Sequence, residues 1–366
     1  MSPPQQASPP PRSAARDAVL RDTPVATVDL DAVERNVARM QAYCDEHGLA
    51  LRPHVKTHKL PELAHLQMRA GAVGITCQKL GEAEVMAAAG LTDILLSFPL
   101  VGDAKVERLV ALAREVTMSV VGDSETVARG LSAGLARAGL EVAFLVECDT
   151  GFGRTGVQAP GDAADLAELV AGLPGLRFEG LMTYPTLTAT GPWLRAAIDE
   201  ISARGLEVRT VSGGGTPGFF SSHRAPELTE VRAGTYVYGD RSCIANGTVA
   251  LEDCALRVHA TVVSRPTVGR AILDAGSKTL SNDPAEGDPD GRGLIVEYPD
   301  ARIHALSEEH GWVDLSACER RPEVGEVVTV VPNHACGCAN LHDEVVVLRG
   351  GQVVGVWPVA ARGRIR

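Results

Sequence analysis

The chain has 366 residues, a formal net charge of −11, and 45% hydrophobic against 22% charged side chains. This is the balance of a globular protein with room for two domains. The acidic surplus argues against nucleic acid or an anionic membrane as partner, and no apolar run reaches the roughly eighteen residues of a transmembrane helix.

In chain order, residues 1–22 are rich in Pro, Ser and Gln and lack the apolar core of a signal peptide, so they read as a disordered tail. A cytoplasmic location follows as an expectation, with the eight scattered cysteines kept as thiols. From Val25 to Gly239, short β-rich runs alternate with stretches of helical periodicity. The predicted strands are Leu51 to Thr57, Gly74 to Lys79, Asp93 to Pro99, Val116 to Gly122, Glu141 to Asp149, Phe178 to Tyr184, Val208 to Gly213 and Val231 to Gly239. Helical spacing runs through Lys105 to Glu115, Ser124 to Ala138 and Trp193 to Arg204. Eight such repeats predict an α/β fold, a (β/α)8 TIM-type barrel over 23–249, with a doubly wound open sheet as the competing architecture. From about Ala250 the texture changes. Arg257 to Ser264, Arg270 to Asp274, Val327 to Val331, Glu344 to Leu348 and Gln352 to Trp357 read as strands separated by Gly and Asp turns. A mostly β domain over 250–366 is predicted, without helices of note.

Barrel sites lie at the C-terminal ends of the strands. Strand one ends in Pro53-His54-Val55-Lys56-Thr57-His58-Lys59, where a partly desolvated lysine beside other cations is suited to Schiff-base chemistry. Alone, the same run suits a basic surface loop. Strand two ends in Gln78, strand five in the run Asp149 to Gly156 that includes Arg154, and strand six in Tyr184. Strand seven ends in Ser212-Gly213-Gly214-Gly215-Thr216, a nest of backbone N–H groups where barrels commonly bind phosphate, or else a plain turn. Strand eight contains Arg232 and ends at Tyr238-Gly239. Late in the chain, His334-Ala335-Cys336 on an extended segment places imidazole and thiol on one face, a pair that suits zinc. Ser307-Glu308-Glu309-His310-Gly311 offers a carboxylate and an imidazole in a turn, which is also what a solvated loop looks like.

Taken together, these motifs resemble the fold-type III pyridoxal-phosphate enzymes of the alanine racemase superfamily, in the branch of the D-threonine aldolases and D-serine dehydratases. The resemblance runs from Thr23 to Arg366, with the motifs in family order. It implies that Lys56 carries pyridoxal 5'-phosphate and is catalytic together with Tyr184. It also implies that His54, Gln78, Arg154, Tyr184, Gly214, Gly215, Thr216, Arg232 and Tyr238 border that cofactor, and that His334 and Cys336 hold a divalent metal, zinc or manganese. His-x-Cys resembles the dehydratases, whereas Asn340 to Asp343, Val356 to Pro358 and Ala361 to Gly363 resemble the aldolases. The implied activity is retro-aldol cleavage of β-hydroxy-D-amino acids to glycine and an aldehyde. The alternative is dehydration of D-serine or 3-hydroxyaspartate to a 2-oxo acid and ammonia. A racemase would need a second proton donor, and Tyr298 is the one tyrosine after Ala250. A non-catalytic cofactor carrier would lack the second domain. A homodimer acting on a small D-amino acid, with no nucleic-acid or membrane partner, completes the expectation.

Overall fold

The computed structural model describes residues 22–186 and 190–366, so all but the last residue of the predicted tail lies outside the described residues. Contacts divide the chain into two compact units, each described separately. One holds residues up to Glu34, with Tyr238–Ser242 and Leu251–Pro358; the other holds Arg35–Val237, Cys243–Ala250 and Val359–Arg366. The units therefore interleave rather than follow the expected division at 23–249 and 250–366.

β1 (Val25–Asp29) and the helix Leu30–His47 come first. Eight strands follow: β2 (Ala50–Leu51), β3 (Ile75–Cys77), β4 (Asp93–Leu96), β5 (Thr117–Gly122), β6 (Val142–Cys148), β7 (Leu176–Thr183), β8 (Thr210–Gly213) and β9 (Glu230–Val231). They form one parallel sheet in the order β2-β9-β8-β7-β6-β5-β4-β3. A parallel bridge between His54 and Thr76 joins its two ends. The Val73 N–H donates to Leu51 O at 2.9 Å and the Thr76 N–H to Pro53 O at 2.8 Å across the same seam. The sheet thus curls into the predicted barrel. Its helices cover it by apolar stripes; Glu125–Arg137, for example, buries Val127, Leu131 and Leu135. Leu95, Val121, Leu145 and Met182 pack into one buried cluster from β4, β5, β6 and β7.

The first and last barrel strands are shorter than predicted. The run Leu51 to Thr57 leaves the sheet early: Pro53 offers no N–H to a ladder, and Val55–Thr57 winds into a 3-10 turn. Val231 to Gly239 likewise contracts to β9, followed by a 3-10 turn over Thr235–Val237. The backbone there passes so close to the lysine loop that a Cβ on Gly234 would stand 2.8 Å from His54 O.

The other unit is built on a nine-stranded sheet. Its later strands are β10 (Leu256–Thr267), β11 (Arg270–Leu273), β12 (Leu294–Ile295), β13 (Arg302–Leu306), β14 (Gly311–Asp314), β15 (Val327–Val331), β16 (Glu344–Arg349) and β17 (Gln352–Pro358). The order is β11-β14-β13-β12-β15-β10-β1-β16-β17. β1 is an interior strand, third from one edge, antiparallel to β10 and parallel to β16, so Val25–Asp29 belongs to this sheet and not to the barrel. Short helices at Ser277–Leu280 and Ala335–Ala339 interrupt what was predicted to be helix-free. The segment Val359–Arg366 belongs to the barrel unit, where the Ala361 N–H donates to Lys59 O at 3.1 Å. Among the described residues, no helix is long and apolar enough to cross a membrane.

Candidate active site

The 3-10 turn after β2 carries Lys56, and β3 delivers Gln78 beside it. The Gln78 amide is fixed at both ends. Its Nε2 donates to Ser97 O at 3.1 Å, which turns Oε1 toward His54 Nε2 at 3.1 Å and Lys56 Nζ at 3.4 Å. An amide oxygen can only accept, so His54 carries its proton on Nε2. Its other nitrogen, Nδ1, is buried without a hydrogen-bond partner. Burial first, then the positive charges of Lys56 and Arg232, push the His54 pKa well below 6.5, so the imidazole is neutral.

After β6 the chain turns around Asp149, whose Oδ1 accepts the N–H groups of Gly151, Phe152 and Gly153 at 2.9, 2.8 and 3.1 Å. The Gly153 and Gly151 amides hold that carboxyl below its usual range. The turn presents Arg154, whose guanidinium carbon stands 5.1 Å from the ring centre of Tyr184. After β8, a Cβ on Gly215 would meet Tyr184 Cε2 at 2.7 Å, so only glycine lets the ring lie against the nest. Arg232 is buried, and its Nη2 donates to Thr183 O at 2.6 Å. Burial brings its pKa down to about 10 despite Glu230 and Glu147.

One cavity is lined by His54, Lys56, Gln78, Arg154, Tyr184, Gly215, Thr216 and Arg232, together with Ser97 and Met182. Two of the expected cofactor residues stand apart from this set. Gly214 has a left-handed φ of 79° and gives its N–H to Thr186 Oγ1 at 2.7 Å. Tyr238 is completely buried in the other unit, and its carbonyl accepts the Ala255 N–H at 2.6 Å. Sequence reading missed Ser97, which fixes the amide, and Glu82, whose Oε2 accepts the Gln78 N–H at 2.7 Å. A serine and a glutamate at a strand end and a helix start carry no signal that separates them from ordinary capping residues.

A cofactor with an aromatic ring and a phosphate suits this cavity. It offers a lysine amine, two guanidinium groups, a buried imidazole nitrogen awaiting a partner, and a glycine nest flattened against an aromatic ring.

In the other unit, His334 precedes the helix Ala335–Ala339, so Cys336 lies in a helical turn and not on the extended segment predicted. The two side chains still meet. Cys336, followed by Asp283 and Asp240, raises the His334 pKa to about 9, against the opposing pull of burial. His334 Nδ1 lies 2.8 Å from Asp283 Oδ2, a partner that no local sequence pattern marks. Among the described residues, no three of His, Cys, Asp and Glu gather in a geometry that would hold a metal. The protein donors here are a pair, imidazole and thiol, with Asp283 fixing the ring from behind. Ser307 to Gly311 forms a hairpin turn exposed at Glu308 to His310, in which Glu309 pairs with Lys278 at 2.8 Å. The Tyr298 hydroxyl donates to Glu326 Oε1 at 2.7 Å.

The family described as "Alanine racemase, N-terminal domain" matches residues 28–242, and that described as "Putative serine dehydratase domain" matches 255–348. The D-threonine aldolase of Arthrobacter sp is 37% identical over 98% of this chain and 97% of its own length. A solved D-threonine aldolase from Filomicrobium marinum superposes with a TM-score of 0.86 at 36% identity, covering 94% of this chain and 97% of that one. The D-threo-3-hydroxyaspartate dehydratase from Delftia sp. HT23 superposes with a TM-score of 0.82 at 32% identity, covering 93% and 98%. The chain belongs to the alanine racemase family of fold-type III pyridoxal-phosphate enzymes, in the group that pairs the barrel with a serine dehydratase domain.

Proposed function

We propose that this protein is a pyridoxal-phosphate-dependent lyase that cleaves β-hydroxy-D-amino acids between Cα and Cβ, giving glycine and an aldehyde. The observation that carries this reading is the cavity in which Lys56 Nζ shares the Gln78 amide oxygen with a neutral His54, opposite Arg154 and Arg232. The full-length likeness to two D-threonine aldolases supports the reaction type. Lys56 would hold pyridoxal phosphate, which when bound supplies the electron sink for charge developing at Cα. The Gly215 backbone and the Thr216 hydroxyl suit the phosphate end of such a cofactor. Arg154, exposed at the edge of the cavity, and Arg232, buried in its wall, offer positive charge to an anionic ligand. Tyr184, held between the Gly215 backbone and Arg154, would fix the plane of the ring. His54, neutral and fixed through Nε2, offers Nδ1 as a hydrogen-bond acceptor at the cavity wall.

His334 and Cys336 would hold a divalent metal, which would supply Lewis acidity toward a hydroxyl oxygen. The chemistry of the donor pair supports zinc, and the pair leaves coordination positions to water or substrate, as catalytic sites do. A solved D-threo-3-hydroxyaspartate dehydratase in which a cysteine is replaced by alanine is described as being in the metal-free form.

A second reading is dehydration to a 2-oxo acid and ammonia, with Lys56 Nζ removing the α-proton. It is favoured by the thiol at 336 and by the likeness to the Delftia dehydratase. A racemase is disfavoured, because the Tyr298 hydroxyl is engaged with Glu326. A homodimer remains part of the proposal on the strength of the family resemblance, and a cytoplasmic setting remains part of it on the reading of the composition. The test is product analysis with D-threonine, pyridoxal phosphate and zinc or manganese. Glycine and acetaldehyde are expected; 2-oxobutyrate and ammonia would establish the second reading. Lys56→Ala should lose the absorbance of the bound cofactor, and survival of that band would refute the lysine assignment.

A further inference from the structure

A line of polar contacts leaves the cavity at Arg232 and runs along the barrel interior toward its opposite mouth. Arg232 Nε donates to Ser212 Oγ at 2.8 Å. The Ser212 hydroxyl donates to Glu230 Oε1 at 2.6 Å. Arg52 Nε donates to the second oxygen, Glu230 Oε2, at 2.7 Å, and Arg52 Nη1 reaches Asp93 Oδ1 at 2.5 Å. Ser212, Glu230 and Arg232 are buried, and Asp93 is partly exposed at the far end. Gly74 makes room for this path: a Cβ there would stand 2.1 Å from Arg52 Nη1. The apolar cluster of Leu95, Val121, Leu145 and Met182 comes from β4 to β7, whereas the polar line runs through β8, β9 and the residues just after β2 and β9 and reaches β4 only at its first residue, Asp93.

The geometry points to Glu230 as a positioning residue that acts through Ser212 to fix the guanidinium of Arg232 in the cofactor cavity. The inference rests on the pyridoxal-phosphate reading given above. Glu230 receives two donors on two oxygens, and this orients the Ser212 hydroxyl. With its proton committed to Glu230, the hydroxyl can only turn a lone pair toward Arg232 Nε. Arg232 is thereby held by two acceptors, Ser212 Oγ and Thr183 O, and Nη1 takes part in neither bond. A glutamine at 230 has one acceptor and one donor group for the same two donors. Either Ser212 or Arg52 then loses its acceptor, and the amide N–H₂ confronts one of them.

The test uses the full-length protein with pyridoxal phosphate, measuring the dissociation constant and the pH dependence of the bound cofactor's absorbance. Glu230→Gln should weaken binding about 10-fold, the scale of one charge-assisted hydrogen bond, and shift the pH profile. In an Arg232→Gln background the same substitution should add less than about 2-fold, because Glu230 acts through the guanidinium. Ser212→Ala, which leaves the Arg52–Glu230 pair intact, should reproduce the Glu230→Gln shift; it keeps the test available if Glu230→Gln folds poorly. Wild-type affinity and pH profile in both folded single variants would overturn the proposal, as would full additivity with Arg232→Gln. A wild-type chain without a Lys56-dependent cofactor band would overturn the cofactor reading and the relay together. An unchanged band in Glu230→Gln and Ser212→Ala overturns the relay alone.

Discussion

Lys59 Nζ lies 3.0 Å from Glu82 Oε1, with both side chains almost wholly removed from solvent. Lys59 adopts a left-handed φ of 57°, three residues after Lys56. The other oxygen of Glu82 accepts the Gln78 N–H, so one carboxylate ties the loop bearing Lys56 to the residue whose amide faces it. A buried ion pair is costly to assemble but far costlier to break on one side. Glu82→Gln should therefore reduce the unfolding free energy by about 3 kcal/mol, read from urea denaturation. Adding Lys59→Met should restore part of it, because the orphaned charge is removed. An unchanged urea midpoint in Glu82→Gln would eliminate this account of the loop.

Gly215 offers a sharper test of the cavity wall. Its missing side chain admits the Tyr184 ring, which in turn lies under Arg154. Gly215→Ala forces the ring to tilt, since a Cβ would stand 2.7 Å from Cε2 and the nest behind it is backbone. The position does not require a positive φ, so the cost falls on the cavity rather than on the turn. Affinity for pyridoxal phosphate should fall by about 10-fold or more while the melting temperature changes little. Equal affinity would mean that Tyr184 does not border the cofactor.

Two buried histidines give stability a pH dependence of definite sign. His58 Nδ1 accepts the Leu60 N–H at 3.0 Å, and its Nε2 faces Gln67 Oε1 at 3.2 Å. Burial lowers its pKa to about 4, and burial with Lys56 and Arg232 lowers that of His54 well below 6.5. The unfolded chain takes up protons at these positions near pH 6.5, while the folded chain stays neutral. Their contribution is thus fully present above about pH 6.5 and is lost as the pH falls toward 4. The melting temperature should drop between about pH 7 and about pH 5, and less steeply in His58→Gln. A curve of equal slope in that variant would assign the dependence elsewhere.

The alternation of strands and helices made the barrel legible, and the position of each motif after its strand made most of the cavity legible with it. What the sequence hid has physical causes. Val25–Asp29 is a short run buried on both faces at its centre, and only long-range pairing with β10 and β16 puts it in the other sheet. The Lys56 loop reads as strand until Pro53 withdraws an N–H from the ladder. Glu82, Ser97 and Asp283 act through contacts with residues distant in the chain or held by tertiary structure, so no local pattern marks them. His334 and Cys336 have a spacing that suits an extended segment, yet the passage from an extended His334 into the helical turn Ala335–Ala339 also brings them together.

That helical turn bears on the metal. His334 Nδ1 is committed to Asp283 at 2.8 Å, which leaves Nε2 as the nitrogen for an ion and sets the plane of the ring. Cys336 would bring the thiolate, and a thiolate favours zinc over manganese. Cys336→Ala should abolish stoichiometric zinc retention, measured by metal analysis after dialysis, and leave the Lys56-dependent cofactor absorbance intact. Asp283→Asn keeps both donors but loosens the ring, so zinc should still bind with affinity reduced about 10- to 100-fold. If Asp283→Asn binds zinc as tightly as the wild type while Cys336→Ala loses it, the carboxylate is only a neighbour of the site. If Cys336→Ala retains zinc, the ion is held elsewhere and the His334–Cys336 pair is not its site.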